Sequence, residues 1–199
     1  MGRSEDIAHD ELEARQACSA GDTKRALGLL MRLHGDAVYR LCRGLVVDAD
    51  LAADVHQTVF VEAYRDLSRF DGRSSFKTWL NAIARHRCLD ALKTTRRRNA
   101  RFQTFGGASE ESRVAEVPDE APTPEAVAAQ ASTRVPLERC LEALQPNTRS
   151  AVLLRYQEAS SYDELGRLFG EQPGTIQARV ARALPVLRKC LEGAGVSAA

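Results

Sequence analysis

Apolar residues recur along this chain at intervals of three and four, the spacing that lines one face of an α-helix. A first helix is predicted from about Asp6 to Ala20, stopped by Gly21. A second begins near Asp22, whose carboxylate can cap it, and carries Leu29, Leu33, Val38, Leu41 and Leu45 inward. A third starts around Asp50 and presents Leu51, Val55, Val59, Phe60 and Tyr64 at helical spacing. The pattern then breaks at SRFDGRSS, where Asp71-Gly72 signals a turn and Ser74 or Ser75 can cap the next helix. That fourth helix, FKTWLNAIARHRCLDALKTTRRR, is expected to bury Phe76, Leu80, Ile83 and Ala84.

The periodicity disappears in TFGGASEESRVAEVPDEAPTP, which joins glycines, acids and prolines with almost no large apolar side chains. Such a stretch buries too little surface to offset its ordering entropy. Residues 101–123 are therefore expected to form a flexible acidic linker between an N-terminal helical domain, 1–100, and a C-terminal one, 124–199. Helical spacing resumes in LERCLEALQP and TRSAVLLRYQEA. The next segment, SYDELGRLFGEQPGTIQARVARAL, reads as two helices around a tight turn. Ser161 caps the first, Tyr162, Leu165 and Leu168 form its apolar face, and Phe169-Gly170 ends it. Glu171 to Gly174 form the turn, and Ile176, Val180, Leu184, Leu187 and Leu191 make a buried stripe on the second helix. Pro185 is expected to bend that helix near 181–185 without ending it.

Thr175, Ala178, Arg179 and Arg182 are expected to project outward from the second helix, as in a helix-turn-helix whose recognition helix enters the major groove. Arg179 and Arg182 can reach guanine edges or phosphates, and Gln177 can pair with adenine. In the N-terminal half, RFDGRSSFKTWLNAIARHRCLD joins a turn bearing Arg69, Phe70 and Asp71 to a basic helix carrying aromatic rings. Unpaired bases require that combination: cations for phosphates, rings for stacking, and a polar pocket. The turn residues are the better candidates for contact, with Phe76 and Trp79 read as core. His86, Asp90, Lys93 and Arg97 come at successive steps of four, three and four and share a face.

Composition narrows the class. Hydrophobic residues at 44%, aromatics at 6% and 13 glycines in 199 residues point to an all-α chain. No apolar run approaches the roughly 20 residues of a membrane span, and MGRSEDIAHDELEAR is not a signal peptide, so a cytoplasmic protein without membrane insertion is expected. Five scattered cysteines, Cys18, Cys42, Cys88, Cys140 and Cys190, lack any C-x-x-C pair and are read as free thiols. The net charge of +1 hides a basic block from Arg85 to Arg101 and an acidic one directly after it, from Phe102 to Glu125. The histidines His9, His34, His56 and His86 are dispersed, and neither a phosphate loop nor a Ser-His-Asp set is recognisable. No metal, cofactor or catalytic residue is expected, and the chain is not read as an enzyme.

The stretch DADLAADVHQTVFVEAYRDLSRFDGRSSFKTWLNAIARHRCLDALK resembles the promoter-melting domain of bacterial extracytoplasmic-function (ECF) sigma factors. LEALQPNTRSAVLLRYQEASSYDELGRLFGEQPGTIQARVARAL is similar to their second conserved domain. The resemblance implies two helical domains and a non-enzymatic protein that binds RNA polymerase core, through the clamp of the largest subunit and the flap, and directs it to promoter DNA. It implies that Asp48, Asp50, Asp54 and Gln57 contact the polymerase core. Arg69, Phe70, Asp71, Ser74, Arg85, His86 and Lys93 would contact the minus-ten element, the turn capturing a flipped base. Gly174, Thr175, Gln177, Ala178, Arg179 and Arg182 would read the minus-thirty-five element. An anti-sigma factor is a further implied partner. Two rival readings remain open on the residues alone. A stand-alone helix-turn-helix regulator explains only the C-terminal domain, and a protein-only helical adaptor requires no DNA.

Overall fold

The computed structural model describes residues 2–104 and 135–196, and every regular element among them is helical. In chain order these are α1 (Gly2–Ser19), α2 (Thr23–Leu45), α3 (Ala49–Asp66), a 3-10 turn (Leu67–Arg69), α4 (Phe76–Thr104), α5 (135–142), α6 (Pro146–Tyr156), α7 (Tyr162–Phe169) and α8 (Pro173–Gly193). The chain divides into two compact units, with α1 to α4 in the first and α5 to α8 in the second. Helix α4 runs to Thr104, into the stretch expected to be linker. The rest of that stretch, from 105, lies outside the described residues.

In the first unit α2 is the central helix, packed against α1 and α4. Its buried positions Ala26, Leu30, His34, Val38, Leu41, Cys42 and Leu45 keep the three-and-four spacing expected of an amphipathic helix. Asp22 caps it, accepting a 3.0 Å hydrogen bond from the Arg25 amide. Helix α1 turns the small residues Ala14 and Ala17 inward. It is tied to α2 by Glu13 with Arg25 at 2.5 Å, and by Glu11, 3.4 Å from His34 Nε2. Helix α3 is held to α2 through His56, whose ring lies edge-on between Tyr39 and Phe60 with Nε2 3.2 Å from the Gly35 carbonyl oxygen. Arg87 of α4 makes two charge-assisted hydrogen bonds to Glu62 of α3, holding the Glu62 carboxyl below its usual range.

Four apolar assignments in this unit shift, the first being Leu33 of α2, which is only half-buried while its neighbour His34 turns inward. On α3 the stripe is Ala52, Val55, Val59, Phe60 and Ala63; Tyr64 is 49% exposed and Leu51 only half-buried. Ala63 takes the place expected of Tyr64 because it continues the step of four from Val59. On α4, Phe76, Leu80 and Ala84 are buried as expected, Ile83 is half-buried, and Cys88 supplies the next turn of the core. The Cys88 thiol is pushed far above its ordinary range by its hydrogen bond with Cys42 and by burial.

The second unit is built on α6, which buries Ala151, Val152, Leu153 and Leu154 and contacts both α7 and α8. Ser161 and Glu164 form a capping box at the start of α7: the Glu164 amide donates to Ser161 Oγ at 3.2 Å and the Ser161 amide to Glu164 Oε2 at 2.8 Å. Gly170, at φ 66°, ends the helix in the left-handed conformation. The turn is shorter than expected. Pro173 and Gly174 already belong to α8, because proline is well suited to the first helical position, where no amide donor is needed. The buried stripe of α8 is Ile176, Val180, Ala183 and Leu187; Leu184 is 39% exposed and Leu191 half-buried. Ala183 replaces Leu184 because it lies three residues after Val180 and four before Leu187. Helix α8 continues through Pro185, with buried side chains on either side of it.

Cysteine chemistry departs from the expectation of five free thiols. Cys140 of α5 and Cys190 of α8 form a disulfide with Cα atoms 5.8 Å apart, leaving Cys18, Cys42 and Cys88 as thiols. The pair is 50 residues apart in sequence, so a search for closely spaced cysteines does not find it; the packing of α5 beside α8 creates it.

Candidate nucleic-acid interface

Three surfaces carry the residues singled out from the sequence. The first is the turn between α3 and α4. Leu67, 1% exposed, anchors its start, and the Cys18 thiol donates to the Leu67 carbonyl at 3.4 Å. Arg69 lies 3.8 Å from Asp66. Phe70 is half-buried, stacked on Phe76 with ring centroids 4.4 Å apart and tilted against Trp79 at 5.3 Å. Asp71 accepts the Arg73 amide at 3.1 Å and pairs with the Arg73 guanidinium. The amide first, and the guanidinium after it, hold the Asp71 carboxyl below its usual range. Gly72 comes next at φ 72°, a conformation that glycine adopts without strain. Ser75, rather than Ser74, caps α4 by accepting the Thr78 amide at 3.0 Å.

Helix α4 continues this surface. Asp90 lies 3.6 Å from His86 Nδ1, 3.7 Å from Arg87 and 3.5 Å from Lys93, so one carboxylate serves three basic groups. His86 and Lys93 are exposed and Arg85 is half-buried, while Arg97 carries this face one turn further and Arg96, Arg98 and Arg101 are exposed around the helix beside it. The turn and this face together offer rings, a carboxylate and cations along one connected segment.

The second surface is the start of α8. Gly174, Thr175, Gln177, Ala178 and Arg182 are exposed over its first turns, the placement required for base contact from a recognition helix. Arg179 does not project outward with them. Its guanidinium lies 2.5 Å from Glu171 and 5.9 Å over the Phe169 ring, and its Nη1 is buried without a hydrogen-bond partner. The outward direction expected for Arg179 is corrected by Glu171, an acid in the preceding turn that captures it.

The third surface is on α3. Asp50, Asp54 and Gln57 are exposed at steps of four and three, with Asp48 exposed just ahead of the helix. The same face carries on to Val61, 51% exposed, and Tyr64. Steps of four and three from Gln57 reach both, although the apolar pattern alone does not mark either as a surface residue.

Residues 30–98 match the family described as Sigma-70 region 2, and residues 134–184 match Sigma-70, region 4. The ECF RNA polymerase sigma factor SigE of Mycolicibacterium smegmatis is 32% identical over 162 residues, which cover 81% of this chain and 60% of that protein. The chain belongs to the ECF sigma factors. The RNA polymerase sigma-H factor of Pseudomonas aeruginosa is 28% identical over 85% of this chain and 88% of its own length. The sigma factor RpoE of Bartonella quintana, solved in complex with the anti-sigma factor NepR, superposes with a TM-score of 0.64 at 25% identity. That likeness covers 81% of this ECF sigma factor and 94% of the solved chain. The region 2 match contains α3, the turn and most of α4, and the region 4 match contains α6, α7 and the first half of α8. No described helix of this sigma factor is long and apolar enough to cross a membrane.

Proposed function

We propose that this protein binds RNA polymerase core, recognises the minus-ten and minus-thirty-five promoter elements, and directs transcription initiation in the cytoplasm without an enzymatic activity of its own. The observation that carries the reading is the pairing of two separate candidate DNA surfaces in one chain, the turn with α4 and the start of α8, each inside its own sigma-70 region. Arg69, Phe70, Asp71 and Ser74 form the base-capture turn, and Arg85, His86 and Lys93 track the strand along α4. Phe70 is braced from behind by Phe76 and Trp79, which supports a role as a rigid wall against a base. Gly174, Thr175, Gln177, Ala178 and Arg182 read the upstream element, with Arg179 holding the helix in place. Asp48, Asp50, Asp54 and Gln57, with Val61 and Tyr64 beside them, dock on polymerase. An anti-sigma partner is supported by the solved RpoE chain, which is bound to one.

The test is run-off transcription with purified core polymerase and a pool of genomic promoter fragments. Transcripts that start only when this protein is added are the expected result. Specific duplex binding without any start would instead support a stand-alone regulator, and no DNA dependence would support an adaptor. Charge reversal at Asp50 or Asp54 should lower core affinity with helicity intact; unchanged affinity removes α3 from the docking surface.

A further inference from the structure

We propose that Arg15, on α1, contacts a phosphate of the displaced single strand at the base-capture turn; the proposal rests on the base-capture reading of that turn. Helix α1 precedes the region 2 match, which begins at residue 30, and none of the polymerase- or promoter-contact residues proposed above lies on it. Its position beside the turn is fixed from several sides. Ala14 and Ala17 are buried, Glu13 pairs with Arg25, and the Cys18 thiol donates to the carbonyl of Leu67, where the 3-10 turn begins.

One turn of helix before Cys18, the Arg15 guanidinium lies 5.3 Å from the centroid of the Phe76 ring. Its Nη1 is 3.8 Å from the point where a side chain at Gly72 would begin. Arg15 therefore stands between the first residue of α4 and the tip of the turn. A guanidinium attracted to a ring by cation–π interaction still has N–H donors to give to an oxyanion.

The charge balance at the turn singles Arg15 out. Arg69 has Asp66 and Arg73 has Asp71, but Arg15 is exposed and has no carboxylate partner among the described residues. A nucleotide whose base enters the turn brings its own phosphates to the rim. The cation there without an internal counter-ion releases a solvent ion when a phosphate arrives and breaks no ion pair.

The experiment uses holoenzyme assembled from core polymerase and the full chain. The probe is a labelled single-stranded oligonucleotide carrying the minus-ten strand of a promoter found by run-off transcription, titrated over a range of salt. Arg15→Gln is expected to weaken binding roughly three- to tenfold at low salt, whatever bases flank the site, and to reduce the slope of log K against log salt by about 0.7. Arg15→Lys is expected to keep the slope. Thermal unfolding of both variants is measured alongside, because loss of the ring contact affects both. A slope unchanged in Arg15→Gln, or an equal loss of affinity in both variants without a change of slope, overturns the phosphate contact and leaves Arg15 as a brace on Phe76. Failure of the unsubstituted holoenzyme to bind the strand overturns the base-capture reading itself, and the Arg15 contact with it.

Discussion

Glu171 and Arg179 are joined at 2.5 Å, linking the turn of the helix-turn-helix to the second turn of its recognition helix. Their side chains are 31% and 23% exposed, between a solvated pair and a buried one. Arg179→Ala and Glu171→Ala should each destabilise the second unit by about 1–2 kcal/mol, and the double variant should cost little more than either single one. Arg182→Ala, on the exposed face, should leave stability unchanged and lower holoenzyme affinity for the upstream element. A double-mutant cycle in denaturant, with DNA titrations of the same variants, separates the two arginines.

Gly166 is fixed by closeness rather than by backbone angle. A Cβ added there would lie 2.9 Å from the Glu171 carbonyl oxygen and 3.1 Å from Pro173 Cγ. Gly166→Ala should therefore push α7 away from the turn and cost about 1–3 kcal/mol. Gly174, inside α8 with nothing within 4 Å of its would-be Cβ, should respond to alanine with a gain of up to about 1 kcal/mol. Thermal unfolding of the two variants should move in opposite directions.

Reduction of the Cys140–Cys190 bridge should lower the stability of the second unit by about 2–4 kcal/mol, since it reopens a loop between residues 50 apart in sequence. Calorimetry with and without reductant should show only that unit's transition moving. The double variant Cys140→Ser with Cys190→Ser should unfold early and ignore the reductant.

His56 links the first unit to pH. Burial, the largest influence on it, lowers its folded pKa below the ordinary 6.5, against the opposing pull of the Gly35 carbonyl. The unfolded chain therefore takes up the proton first as pH falls. The stability contributed by neutral His56 is present above about pH 6.5 and is lost as pH drops from there towards the folded value. Urea midpoints of the first unit between about pH 7.5 and 5 should fall, and the fall should be shallower in His56→Gln.

Much of this fold is legible in spacing and caps. Asp22, Ser161 and Gly170 mark helix ends by local chemistry, and they do so in the structure. Sequence misleads where neighbours in space decide. Ala183 and Ala63 displace larger apolar residues because periodicity ranks side chains by size, whereas a close helix contact selects the position that faces inward. Helix phase places Arg179 near Arg182 and facing outward, but Glu171 draws it back. The disulfide is invisible for the same reason, since α5 and α8 must first pack before Cys140 and Cys190 can meet.

Asp90, shared by His86, Arg87 and Lys93, makes the basic face of α4 partly self-neutralised. It is a competitor tethered to the very cations that a strand would seek, and unlike a salt ion it cannot be diluted away. A phosphate approaching Lys93 must displace a carboxylate rather than fill a vacancy, so encounters with random duplex gain little there. Under the proposed role, sustained engagement would be reserved for DNA already held at other points, where many contacts act together. If α4 tracks the strand as proposed, a single acid would in this way favour an assembled promoter complex over bulk DNA.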